Sequence, residues 1–208
     1  MIRLNGITFY REELRDLAAA WLALGLAFAL FLEPATLQRM LNGAGSFGRT
    51  FLLSMLTVGV GFLLHELAHK VVAVQFGQVA AFRADYGMLA IAVAGALAGI
   101  FFAAPGAVYH RGRITTRQNG LVAVAGPVTN LVLAVVFVVP FLLVGGFVGE
   151  VARLGVLVNL FLAAFNMIPF GPLDGKTVRR WDTGVFAVVL GVSAAALVGF
   201  LFGFGFGL

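Results

Sequence analysis

Residues 50–70 read TFLLSMLTVGVGFLLHELAHK (Thr50–Lys70). The uncharged run Thr50–Leu64 holds no proline and passes without a break into His65-Glu66-Leu67-Ala68-His69-Lys70. Such a run predicts one continuous helix that carries its ionisable groups inside an apolar segment. An ionisable side chain at the centre of a bilayer costs roughly 2.5–3.5 kcal/mol or more and faces a cavity or a partner. Four such groups within six residues call for a function.

The rest of the chain supports a membrane setting. Of its 208 residues, 61% are hydrophobic and 11% charged, with a mean hydropathy of +1.03. Soluble domains run at about 45–50% apolar and about 25% charged. A soluble single-domain enzyme and a disordered chain are both excluded. Without cysteine, disulfides and thiolate metal sites are excluded as well. The net charge of +5 comes without a basic run interleaved with aromatics, so nucleic acid is not an expected partner. The first sixteen residues mix both signs of charge and do not read as a cleaved signal peptide.

Five further uncharged stretches follow the same logic: Leu17–Leu32, Tyr86–Tyr109, Leu121–Gly149, Leu154–Leu173 and Thr183–Leu208. The predicted fold class is an all-α, polytopic helical membrane protein, with either six helices or five spanning helices plus a re-entrant element. If all six stretches span, Lys and Arg divide six against eight. If Tyr86–Tyr109, rich in glycine, dips in and returns, they divide 11 against 3, with only Arg39, Arg49 and Arg153 in the minority. Cytoplasmic loops carry the Lys/Arg excess. Five spans are therefore expected, in the cell membrane, with the N-terminus cytoplasmic. After the dip, PGAVYHRGRIT predicts a short β-hairpin turning at Arg111-Gly112. Residues 1–208 are read as one membrane-embedded domain, with no length for a regulatory domain.

On a helix, His65 and His69 lie one turn apart on one face and can share a zinc ion. Glu66, beside the first, can act as general base on a zinc-activated water. The plain alternative is two buried histidines with a Glu66–Lys70 ion pair. A hydrolytic zinc site takes three protein ligands. The candidates for the third are His110, Glu150, Asp85, Asp174 and Asp182. Starting the helix at Thr50 on the outer face puts His65 roughly 22 Å into a core about 30 Å thick, in the cytoplasmic half. Glu150 falls on the wrong side, and Asp85, His110 and Asp182 lie outside the apolar runs. Asp174 is best placed, since Pro169, Gly171 and Pro172 must break the helix before it. His110, in a basic loop, reads as solvated.

HELAH, GPVTN (Gly126–Asn130) and NMIPFGPLDG (Asn166–Gly175) occur in that order. Together they resemble the site-2 protease family of intramembrane zinc metalloproteases. The resemblance covers roughly Phe51 to Arg180, and APGAV (Ala104–Val108) resembles archaeal members. It implies a catalytic core over about 51–180, with 17–32 and 183–208 as accessory helices. It implies one zinc per chain on His65, His69 and Asp174, with Glu66 as the catalytic base. It implies contact with substrate, or with its oxyanion, for Asn130 and Asn166, although each amide could equally serve as interhelical glue. The segment Ala107–Thr116 corresponds to the family's membrane-associated β-element, which makes Ala107, Val108 and Tyr109 candidate substrate-binding residues. The expected partners are a transmembrane protein substrate and the lipid bilayer. A metal transporter and a catalytically silent binder of transmembrane helices are the rival functions.

Overall fold

A computed structural model describes residues 1–4, 6–33, 47–100 and 105–205. Its long elements are helices: α1 (Arg11–Leu32), α2 (Phe47–Gln75), α3 (Tyr86–Leu97), α4 (Thr116–Leu143), α5 (Gly146–Asn166), α6 (Asp174–Trp181) and α7 (Thr183–Phe204). Two small sheets complete it, β1 (Ile2–Leu4) with β2 (Ile7–Phe9), and β3 (Val79–Ala84) with β4 (Gly106–Arg111). Five helices, α1, α2, α4, α5 and α7, are long and apolar enough to cross a membrane. The chain is an all-α polytopic membrane protein. Helix α3, with 12 residues, reaches only about 18 Å at 1.5 Å per residue, against a core of about 30 Å. Six spanning helices are therefore not formed among the described residues.

The chain divides into two compact units, Met1–Leu63 with Phe82–Ala107, and Leu64–Ala81 with Val108–Leu208. In the first, α1 begins six residues before the uncharged run at Leu17. Its opening turns are charged because two carboxylates have work inside: Glu13 is fully buried and Asp16 nearly so. Glu13 Oε1 accepts from the Phe82 N–H (3.2 Å) and Asp16 Oδ2 from the Ala84 N–H (3.4 Å). Asp16 Oδ1 also accepts from the Tyr86 hydroxyl (2.8 Å). Helical spacing i, i+3 thus meets strand spacing i, i+2, and one edge of β3 is closed by side chains. Helix α3 is started by Asp85, which accepts from the Met88 N–H (2.9 Å). It packs Ala92 and Ala96 on Ala27 of α1.

Helix α2 contains a π turn at Met55–Gly59. The Trp21 indole N–H donates to the Met55 carbonyl (3.1 Å). Gly59 lets the ring in, since a Cβ there would lie 2.4 Å from it.

The hairpin expected at Arg111-Gly112 is not formed. Residues 106–111 make a single strand whose partner is β3, a strand absent from the expectation because its mate lies far along the chain. Gly112, at φ +138, ends the strand against the Gln78 side chain. Ala104 of APGAV and Arg39 lie outside the described residues. The Asp85 N–H donates to the Pro105 carbonyl (2.9 Å), while Gln78 Nε2 donates to the Arg113 carbonyl (2.8 Å), so the strands run antiparallel. This register turns odd-numbered backbone groups of each strand toward the other and even-numbered ones away. Phe82 and Ala84 meet Glu13 and Asp16 by that rule.

In the second unit, α4 opens on a Thr115/Gln118 capping box. Its exposed Val132, Val135, Val136, Val139 and Leu142 form a lipid-facing stripe. Ala134 on the inner side meets Val156, Leu160 and Phe200. Helix α5 stops at Asn166, and the chain turns through Gly171 (φ +61) into α6. Gly175 is held so close that a Cβ would sit 2.1 Å from the Met167 carbonyl oxygen.

Replacing Trp21 with Phe keeps the ring and removes the hydrogen bond to the π turn. The expected cost is about 1 kcal/mol, read as a midpoint lowered by roughly 2–4 °C in thermal unfolding in detergent. An unchanged midpoint would show that the Met55 carbonyl does not depend on Trp21.

Candidate metal centre

His65 and His69 are buried on α2 at 4% and 7% exposure. Their Nε2 atoms face the same oxygen, Asp174 Oδ2, at 3.2 and 3.4 Å. These are the only three residues, among those described, whose donor atoms group as a metal could use them; the atoms lie within 4.8 Å of one another. The break expected before Asp174 does bring the carboxylate back to the histidines, because α6 begins at Asp174 and Gly175 seats that turn against Met167.

Hydrogen bonding on the far side of each ring restricts what the near side can be. His69 Nδ1 lies 2.7 Å from the Val122 carbonyl oxygen of α4. A carbonyl only accepts, so Nδ1 carries the hydrogen, and Nε2 of the neutral ring offers a lone pair. His65 Nδ1 lies 2.6 Å from Asn130 Oδ1. Asp174 Oδ2 is buried without a hydrogen-bond partner. An ionised carboxylate oxygen facing imidazole lone pairs is satisfied by a cation between them. Bonds of about 2.0–2.2 Å to a tetrahedral zinc place adjacent ligand atoms roughly 3.3–3.5 Å apart. The observed 3.2 and 3.4 Å fit that ion.

Gly126 closes one side of the site. A Cβ there would lie 2.5 Å from His65 Nε2 and 2.6 Å from His69 Nε2. The first residue of GPVTN is thus glycine because α4 passes over the atoms that would bind metal. Glu66 is buried beside them at 8% exposure. It accepts from the Val108 backbone N–H, which the β3–β4 register turns outward, and its Oε2 has no partner.

The remaining candidates are placed differently. The Asn130 amide, expected at substrate, meets His65 on one end and Asn159 Oδ1 (2.8 Å) on the other, and is fully buried. Asn166 donates to the Leu162 carbonyl of its own helix (3.0 Å). Ala107 and Tyr109 are exposed on β4, and half-buried Val108 reaches Glu66. Asp85 and Asp182 cap α3 and α7. Asn159 and the Val122 carbonyl were not singled out in the sequence. For Asn159 the signal was an amide within an apolar run; for a backbone carbonyl there is none.

Two curated proteins are similar to this chain. "Putative zinc metalloprotease MJ0611" of Methanocaldococcus jannaschii is 41% identical over 143 residues, covering 67% of this chain and 75% of the relative. "Putative zinc metalloprotease YwhC" of Bacillus subtilis is 33% identical over 150 residues, covering 60% of this chain and 66% of the relative. No family model matches the chain, and no solved structure matches it. With the motifs in family order, the metal-competent trio on α2 and α6 and these relatives, the chain belongs to the site-2 protease-like family of zinc metalloproteases.

Proposed function

We propose that the protein is an intramembrane metalloprotease that hydrolyses peptide bonds in or near the transmembrane segments of other membrane proteins. The observation that carries this reading is the convergence of His65, His69 and Asp174 on one point beside a buried, partly unpartnered Glu66. His65, His69 and Asp174 hold one zinc ion per chain. When bound, zinc supplies a Lewis acid that polarises the scissile carbonyl and acidifies water. Glu66 takes a proton from the attacking water and delivers it to the leaving amine. Burial of His65, Glu66 and His69 limits the access of other water, and the missing side chain of Gly126 lets α4 lie close over the imidazoles. The catalytic core spans about 51–180, with accessory helices 17–32 and 183–208 in the same membrane-embedded domain. The Lys/Arg asymmetry supports a cell-membrane orientation with the N-terminus cytoplasmic and the site in the cytoplasmic half.

A helical substrate hides its carbonyls, so it must be extended before cleavage. Strand β4 offers a template next to Glu66, and we read Ala107, Val108 and Tyr109 as the segment that pairs with unwound substrate. Its outward groups, on the even-numbered residues, are not used by β3.

Zinc analysis of purified, detergent-solubilised protein tests the metal centre. About one zinc per chain is expected in the wild type, with a clear loss in Asp174→Ala. Glu66→Gln should keep the metal and lose turnover of a transmembrane substrate. Retention of zinc by Asp174→Ala would remove that ligand, and turnover by Glu66→Gln would remove the base.

Gly126→Ala tests the close approach. Alanine favours a helix over glycine by about 1 kcal/mol, so α4 is not weakened, yet the new methyl group must push both imidazoles aside. Zinc content should fall while the helical circular-dichroism signal is kept. Full zinc occupancy would mean that the rings have room the geometry does not give them.

Val108→Pro tests the strand. Proline there removes an outward N–H and leaves the β3 ladder intact. Cleavage should drop with zinc retained. Unchanged cleavage would end the template role for β4.

A further inference from the structure

Which tautomer His65 adopts is not decided by Asn130 alone, because an amide can present either its oxygen or its nitrogen. The decision is made two residues away. Asn159 Nδ2 lies 2.8 Å from the Gly155 carbonyl oxygen on its own helix α5. That carbonyl can only accept, so Asn159 turns its NH2 to Gly155 and its oxygen outward. Asn159 Oδ1 then accepts from Asn130 Nδ2 (2.8 Å). With its nitrogen so engaged, Asn130 presents Oδ1 to His65 Nδ1 (2.6 Å). An oxygen there obliges Nδ1 to carry the hydrogen and leaves Nε2 as the lone pair that faces Asp174. Every link runs in one direction, and the first is anchored on backbone. Both asparagines are fully buried, so water does not compete at either link.

We infer that Asn159 and Asn130 form a directional relay that fixes the tautomer and ring orientation of His65 for metal binding, with Asn159 as its anchor. Both are positioning residues in this role. The inference rests on His65 being a metal ligand, as proposed above, and not on proteolysis. His69 needs no relay, since the Val122 carbonyl imposes its tautomer directly. The two ligands are therefore secured by different means, one by backbone and one through two amides.

The relay makes a prediction that a packing role does not. Asn159→Leu removes the anchor, frees Asn130 to rotate, and lets His65 take either tautomer. Loss of such an outer partner typically lowers metal affinity 10–100-fold. Asn130→Asp presents an acceptor to His65 whichever way it turns, so it no longer depends on Asn159. Zinc affinity, measured by competition with a chromophoric chelator on the full-length protein in detergent, should fall about 10–100-fold in Asn159→Leu. It should return to near wild type in the double variant Asn130→Asp/Asn159→Leu, where no amide oxygen faces the new carboxylate. Monodisperse elution and an unchanged thermal midpoint in the double variant show that leucine is accommodated at 159. Wild-type affinity in Asn159→Leu, or a loss in the double variant as large as in the single, overturns the relay. Wild-type protein that binds zinc and cleaves nothing would sink the protease reading and leave the relay measurable. Wild-type protein without zinc would overturn both the metal centre and the relay.

Discussion

The arrangement depends on one constraint: an ionised carboxylate oxygen and two imidazole lone pairs are brought within about a hydrogen-bond length of one another, away from water. Left alone, such groups repel and would separate. They are held because each is fixed from behind. Val122 holds one ring and Asn130 the other, and the α5–α6 turn, closed on Gly175, holds Asp174. Three helices, α4, α5 and α6, thus supply the restraint on groups carried by α2 and α6, and their packing sets an electrostatic demand that a divalent cation would satisfy. This is why small residues stand where they do. Gly126 admits α4 to the rings, and Gly175 admits α6 to the end of α5; neither could be alanine without moving a ligand.

Much of this was legible in the sequence, for physical reasons. A span of about 20 apolar residues has one stable form in a bilayer, so the apolar stretches follow from composition and length, and the Lys/Arg division marks Tyr86–Tyr109 as the one that does not span. Histidines four apart on a helix must share a face, and prolines before Asp174 must break the helix. These rules act over one or two turns. What escaped reading was non-local. Strand β3 gave no clear signal because its partner lies across α3, and the expected turn at Arg111-Gly112 offered a nearer but unused alternative. Leu17 marked the start of α1 only on the assumption that charge stays outside; Glu13 and Asp16 are inside because two strand N–H groups await them. Asn159 looked like any amide in an apolar run until its neighbours were known.

The β3–β4 sheet shows how an edge can be made directional. A two-stranded sheet has two open edges, and each invites pairing with whatever extended chain is near. On β3 the invitation is withdrawn by Glu13 and Asp16, whose carboxylates take the Phe82 and Ala84 N–H groups. On β4 the outward Val108 N–H meets Glu66, a single contact with a residue that the proposed chemistry also uses.

That contact has a consequence for the order of events. While Val108 donates to Glu66, the carboxylate is held and one backbone donor of β4 is occupied. A strand that paired with β4 would claim the same N–H, and Glu66 would lose that bond as substrate gained it. On the function proposed above, docking of an extended peptide on β4 and release of Glu66 from Val108 are one exchange of hydrogen bonds rather than two events.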